Sequence, residues 1–397
     1  MTLLRRWWPL IALLALAFNL RPVAVSIGPV LAEISRDVGL SGTTAGLLTS
    51  LPTLGFAVFG AVAPWLAHRI GAHRTILLSL IALIVGQAGR LLVHSPVPFL
   101  LLSTLALGGM AQANVLLPSL VRRHYPNHIG LATALYSLLM TIGVTLAGTV
   151  TVPLAHVLGG WRASLSAGVV IAVAATLCWL PLALQAGKPK PGGAMTVSLA
   201  AVARTRLGWA MAIMFGIQSS QAYAVFGWLP SIYRSAGMDQ TTAGYMLGIA
   251  TGVGIVPAFL IPAYVARTRN PSVLFLSIIA CLVAGWTGLL IDPMAAPAVW
   301  AVLIALGTSS FPLLLALFGT RAHTPNGTAA LSGFAQSVGY LLATIGPLGF
   351  GVLYASFDSW VPPILLQMTL IIPMVIAGLY ACQPRIIEEQ LPGLEAV

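Results

Sequence analysis

The chain has 397 residues, 58% of them hydrophobic and 7% charged, and its mean hydropathy is +0.96. Roughly a quarter of the residues in a soluble protein are charged, and a soluble fold has too little interior for this much apolar side chain, so lipid is the solvent for most of the surface. A net charge of +11 would suit nucleic acid only if Lys and Arg gathered on one aqueous face; here they are scattered between apolar runs, which excludes that partner.

A helix of about 20 residues crosses the hydrocarbon layer, and with its connection uses roughly 30 to 33, so this length allows about twelve crossings. The first apolar run follows Arg5 and Arg6 like an export signal. Asn19-Leu20-Arg21-Pro22 replaces the small-residue cleavage pattern, however, so the run is read as a retained first helix. Further runs predict helices over 8–32, 44–67, 75–93, 98–121, 129–156 and 163–184. A second set follows at 207–232, 241–266, 272–291, 297–320, 328–354 and 360–381. The expected fold is an all-α polytopic membrane protein of two six-helix halves, 1–184 and 207–384. A flexible cytoplasmic linker is expected at 185–206 and a cytoplasmic tail at 385–397. The runs are too long for a transmembrane β-barrel, and Cys178, Cys281 and Cys382 have no metal-ligand spacing.

Charge sets the expected orientation. With both termini cytoplasmic, the inner loops and tails hold Arg5, Arg6, Arg69, Arg74, Arg122, Arg123, Lys188, Lys190, Arg204, Arg206, Arg267, Arg269, Arg321 and Arg385. The outer side keeps only Arg36, Arg162 and Arg234, together with Glu33, Asp37, Asp239, Asp292 and Asp358, a strong positive-inside asymmetry.

The halves also repeat. Arg36-Asp37-Val38-Gly39 leads to Thr43-Thr44-Ala45-Gly46, and 198 positions later Arg234-Ser235-Ala236-Gly237 leads to Thr241-Thr242-Ala243-Gly244. The same offset relates Pro64 to Pro262 and Arg69 to Arg267. Parallel repeats of this kind suit a transporter that opens alternately to each side about a central site.

The pattern resembles the major facilitator superfamily. Its conserved cytoplasmic motif is similar to PWLAHRIGAHR (64–74), with Arg69, Gly71 and Arg74 in place and Pro64 and His68 where glycine and aspartate are usual. NLRP (19–22), AGLLTSLP (45–52), GWLP (227–230) and ALSGFAQSVGYLLATIGP (330–347) resemble the bacterial cyanate and 2-nitroimidazole transporter family more narrowly. The resemblance implies transport and an inner-membrane location. It also implies a cavity lined by the first, fourth, seventh and tenth helices, with contributions from the fifth, eighth and eleventh.

Arg21 is the sharpest candidate. It lies about 20 Å along the first helix, where a permanent charge is expensive and should face a cavity, a carboxylate or an anionic ligand. Glu33, twelve residues on and roughly 18 Å away, is a poor partner. Pro22 takes a donor from the carbonyl of Phe18, so a kink should expose that carbonyl to the cavity beside Arg21 and Asn19. Gln218, Gln221 and Tyr223 stand at similar depth in the second half, Gln336 and Tyr340 form an i,i+4 pair, and Tyr136 and Asn114 complete the expected solute-binding set. Arg69 and Arg74 are candidate inner-gate residues, and Trp228 is an interfacial anchor or an outer gate. Arg90, near an outer helix end, is expected to reach headgroups with its long side chain.

No acidic residue is expected near a helix centre, and no Walker loop, zinc motif or nucleophile constellation is present. Neither catalytic residues nor a metal nor a cofactor is therefore expected. The sequence points to alternating-access transport of a small anionic or strongly dipolar solute by a monomer, with a cyanate-like anion favoured. Efflux of 2-nitroimidazole or related small drugs, and a non-transporting membrane receptor, are the alternatives.

Overall fold

A computed structural model describes residues 3–125, 128–185 and 199–390. The chain begins with α1 (Leu3–Leu20), α2 (Pro22–Val25), a 3-10 turn (Gly28–Val30) and α3 (Leu31–Val38). Long helices follow: α4 (Gly42–Ile70), α5 (Ala72–Arg90), α6 (Pro96–His124), α7 (Ile129–Leu158) and α8 (Trp161–Leu184). Next come α9 (Leu199–Val202), α10 (Arg206–Ser235), α11 (Gln240–Gly252), α12 (Ile255–Arg267), α13 (Ser272–Ile291) and α14 (Pro297–Thr308). The last four are α15 (Ser310–Thr320), α16 (Pro325–Ala343), α17 (Ile345–Phe357) and α18 (Val361–Cys382). Most of the expected linker, 186–198, and the end of the tail, 391–397, lie outside the described residues.

Among the described residues eleven segments are long and apolar enough to cross a membrane. They carry large exposed apolar side chains such as Leu101, Val170 and Ile376, as a lipid-facing surface requires. The protein is an all-α, multi-pass membrane protein. α10 is not among the eleven; it is 30 residues long but carries Gln218-Ser219-Ser220-Gln221 in its middle.

Four segments expected as single helices are interrupted, after Leu20, Gly252, Thr308 and Ala343. Each interruption lies within about one turn of a following proline: Pro22, Pro257, Pro312 or Pro347. A proline lacks the N–H for the carbonyl four residues back and crowds it, which accounts for the position of each break. The first segment also runs on to Val38, where Gly39 closes α3 at φ 77°.

One compact unit comprises Met1–Gly192 and Leu229–Gly248, the other Gly193–Trp228 and Ile249–Val397. In the first unit α5 packs on α6 and α8, α4 on α6, and α1 on α7 and α8. Backbones nearly touch where α5 meets α6, because a β-carbon on Gly86 would lie 2.5 Å from Leu102 O and Ala106 N. In the second unit α13 packs on α14 and α18, α12 on α15, and α17 on α18 around buried Trp286, Phe275 and Phe350.

Candidate functional site

Arg21 occupies the break in the first segment. The apolar span Trp7–Val38 places it fourteen residues from one end and seventeen from the other, midway along the segment. Its backbone (φ −98°, ψ −29°) caps α2, and its carbonyl accepts from Ala24 N at 3.1 Å and Val25 N at 3.3 Å. The side chain is half-buried. The break at Pro22 was expected, but the Phe18 carbonyl it releases does not open onto a cavity. It lies against Gly143 of α7, where a β-carbon would approach Phe18 O to 2.5 Å and Pro22 Cγ to 3.2 Å. Only a residue without a side chain lets α7 cover that carbonyl.

Of the other first-unit candidates, Asn19 is buried with no hydrogen-bond partner for Nδ2 among the described residues, and Asn114 and Tyr136 are half-buried. Arg69 is exposed and stacks its guanidinium 5.0 Å from the Trp65 ring; Arg74 is also exposed. The unit's three carboxylates, Glu33, Asp37 and Asp239, are engaged near the end that α3 reaches. Arg234 grips Glu33 through Nη2 at 2.8 Å and Nη1 at 3.1 Å. Arg162 pairs with Asp37, which also accepts from Trp161 Nε1 at 3.0 Å. Asp239 accepts from Thr242 N at 2.9 Å.

In the second unit Gln218 Nε2 donates to Thr308 O at 3.5 Å, and its Oε1 accepts from Ser219 Oγ at 3.2 Å. Gln221, expected on the same face as Gln218, is turned into the helix core. It donates to Gln367 O at 2.9 Å and accepts from Trp286 Nε1 at 2.7 Å, with no exposed surface. Tyr223 is buried beside Phe226. Gln336 Nε2 donates to Ser332 Oγ at 2.6 Å, and Tyr340 packs edge-on against Phe215. Trp228, expected near the interface or over a gate, is 4% exposed. It donates to Pro347 O at 3.0 Å and stacks against Phe350.

Two features had no reading, or the wrong one, in the sequence. Arg90 does not reach headgroups, because it is 1% exposed at the end of α5, a helix that packs on α6 and α8. His73 and His124 place their Nε2 atoms 3.2 Å apart, and Trp179 Nε1 donates to His73 O at 3.0 Å. His73 stands in the loop motif PWLAHRIGAHR and His124 lies 51 residues on, too far apart for a local pattern to pair them. Among the described residues no group of three or more His, Cys, Asp or Glu could hold a metal.

A broken, apolar first helix carrying an arginine midway along it, within an all-α multi-pass protein, suits a transporter. The Major Facilitator Superfamily model matches residues 8–347. The chain belongs to the major facilitator superfamily. Within this superfamily it is 34% identical over 388 residues to the "Uncharacterized transporter YycB" of Bacillus subtilis, covering 97% of this chain and 96% of that protein. It is 32% identical to the 2-nitroimidazole transporter of Escherichia coli, covering 93% and 94%. It is 28% identical to the cyanate transport protein CynX of the same organism, covering 87% and 89%. The nucleoside transporter NupG matches in fold with a TM-score of 0.75 at 13% identity, over 94% of this chain and 99% of that one. This superfamily member is therefore a secondary transporter of a small solute, working by alternating access and related to the cyanate and 2-nitroimidazole transporters.

Proposed function

We propose that the solute is a small anion or strongly dipolar molecule whose negative end meets Arg21. The observation that carries this reading is a half-buried guanidinium midway along an apolar segment, on a helix broken at that residue. A charge so placed is costly unless it has a function, and in a carrier that function is to meet charge of opposite sign. Asn19, Asn114 and Tyr136 supply directional polar groups in the first half, and Gln218, Tyr223, Gln336 and Tyr340 do so in the second. Gln221 and Trp228 hold the second unit together, so this reading omits Gln221 from the contact set and Trp228 from the gate.

In this reading α10 is a twelfth crossing, the two halves are six-helix repeats, and both termini face the cytoplasm of a bacterium. Arg69 and Arg74 then stand at the inner mouth, and the monomer is the working unit. A cyanate-like anion is the favoured solute. Efflux of 2-nitroimidazole is the second reading, supported by the 32% identity to that transporter. Competition flux in proteoliposomes with cyanate, nitrate, nitrite, small carboxylates and 2-nitroimidazole, with and without a pH gradient, decides between them. Saturable counterflow of an anion supports the first reading, and counterflow of 2-nitroimidazole alone supports the second. Ligand binding without counterflow identifies a receptor and overturns both.

A further inference from the structure

Arg90 carries a charge that the transport reading does not use. It ends α5, is 1% exposed, and its Nε, Nη1 and Nη2 all lack a hydrogen-bond acceptor. No carboxylate is available to it, because Glu33, Asp37 and Asp239 are the acids of its unit and each is engaged elsewhere. The backbone carbonyls just past α5 do not serve it either. Arg162 takes them, donating from Nε to Leu91 O at 3.1 Å and from Nη2 to Val93 O at 3.0 Å.

Two further donors are stranded around it. Gly86, one turn before Arg90, touches α6 at Leu102 and Ala106, which brings Ser103 to this level; Ser103 Oγ is fully buried and has no partner. Gln87 turns to α8, where a β-carbon on Gly168 would lie 2.5 Å from its Oε1, and its buried Nε2 is also without a partner. A guanidinium, an amide and a hydroxyl, all buried, thus stand along α5, α6 and α8, and Nε, Nη1 and Nη2 of Arg90, Nε2 of Gln87 and Oγ of Ser103 have no partner among the described residues. An isolated charge among unpaired donors is strongly unfavourable, whereas the same set around an anion is satisfied at once.

We infer that Arg90, Gln87 and Ser103 form an occluded site for a small monovalent inorganic anion of halide or nitrate size, separate from Arg21. One guanidinium sets the charge at minus one. Close packing of α5 on α6 and α8 limits the size, and burial of Arg90 excludes a lipid phosphate. The bound anion ties the three helices together and is not the transported solute.

The test uses full-length detergent-purified protein, exchanged first into gluconate and then into bromide. Wild type should retain stoichiometric bromide by ion chromatography after desalting, and its unfolding midpoint should rise saturably with bromide. Arg90→Met should lose both responses, whereas Arg21→Ala should keep both, so failure here is distinguishable from failure of the solute reading. If Arg90→Met does not fold, Gln87→Leu and Ser103→Ala should each raise the half-saturating bromide concentration roughly tenfold. A wild-type protein that retains no bromide and shows no midpoint shift overturns the inference. So does a bromide response undiminished in all three variants.

Discussion

At position 22 the first apolar segment has a proline, and 198 positions later α10 has Ser220. Proline interrupts the first segment and leaves Arg21 at the break, whereas α10 continues through Ser220 for 30 residues. The polar groups of α10 are neutral and are engaged within their own unit: Gln218 by Thr308 and Ser219, Gln221 by Gln367 and Trp286. Both regions nevertheless share one packing device. Gly143 lies against Phe18 O in the first unit, and a β-carbon on Gly346 would come within 2.7 Å of Ser220 O in the second. A close glycine contact is common to both regions, whereas of the two only the first segment carries a fixed positive charge on broken backbone.

The largest effect should come from removing that charge. Arg21→Ala should lower kcat/KM for anion flux by about a hundredfold or more, as expected for losing a desolvated charge interaction of ~3–5 kcal/mol. Gln218→Ala, the nearest counterpart, should change the same flux only a few-fold; equal losses would dissolve the contrast. Next come the glycines. Gly143→Ala and Gly346→Ala should each destabilise their unit by about 1–3 kcal/mol, read as a lower unfolding midpoint in detergent, because a β-carbon has no room against backbone. Gln221→Leu should cost about 1–2 kcal/mol of stability through its lost hydrogen bonds while leaving the solute KM unchanged; a raised KM would return Gln221 to the site.

The smallest effect is outside both segments, where the tail bonds back to its own unit. Glu388 accepts from His323 N at 3.1 Å, from Thr324 N at 3.0 Å and from Thr324 Oγ1 at 2.8 Å. Burial pushes the Glu388 carboxyl up, but these hydrogen bonds outweigh it and hold the group below the ordinary carboxylate range. A depressed carboxyl contributes stability that is complete above the unfolded pKa and is lost as pH falls through the folded one. Glu388→Gln should therefore slightly lower the midpoint at neutral pH and flatten its fall in acid.

The run of apolar segments was legible because lipid demands about 20 apolar residues per crossing. The break at Pro22 was legible for the same local reason, since proline acts on the carbonyl four residues back. What covers that carbonyl was not, because Gly143 is 125 residues from Phe18 in sequence. Gln221 shows the same limit: i,i+3 spacing placed it beside Gln218, but its partners Trp286 and Gln367 lie 65 and 146 residues away. Arg90 shows it again. Its place at a helix end was legible, whereas its burial depends on how α6 and α8 pack on α5.

The central claim is that Arg21 reads the charge of the solute. The direct test is counterflow in proteoliposomes, comparing wild type, Arg21→Lys and Arg21→Ala on cyanate and on 2-nitroimidazole at equal protein content. Anion counterflow in the wild type that is partly kept by Arg21→Lys and lost in Arg21→Ala is the predicted result. Anion counterflow in Arg21→Ala equal to that of the wild type would contradict it.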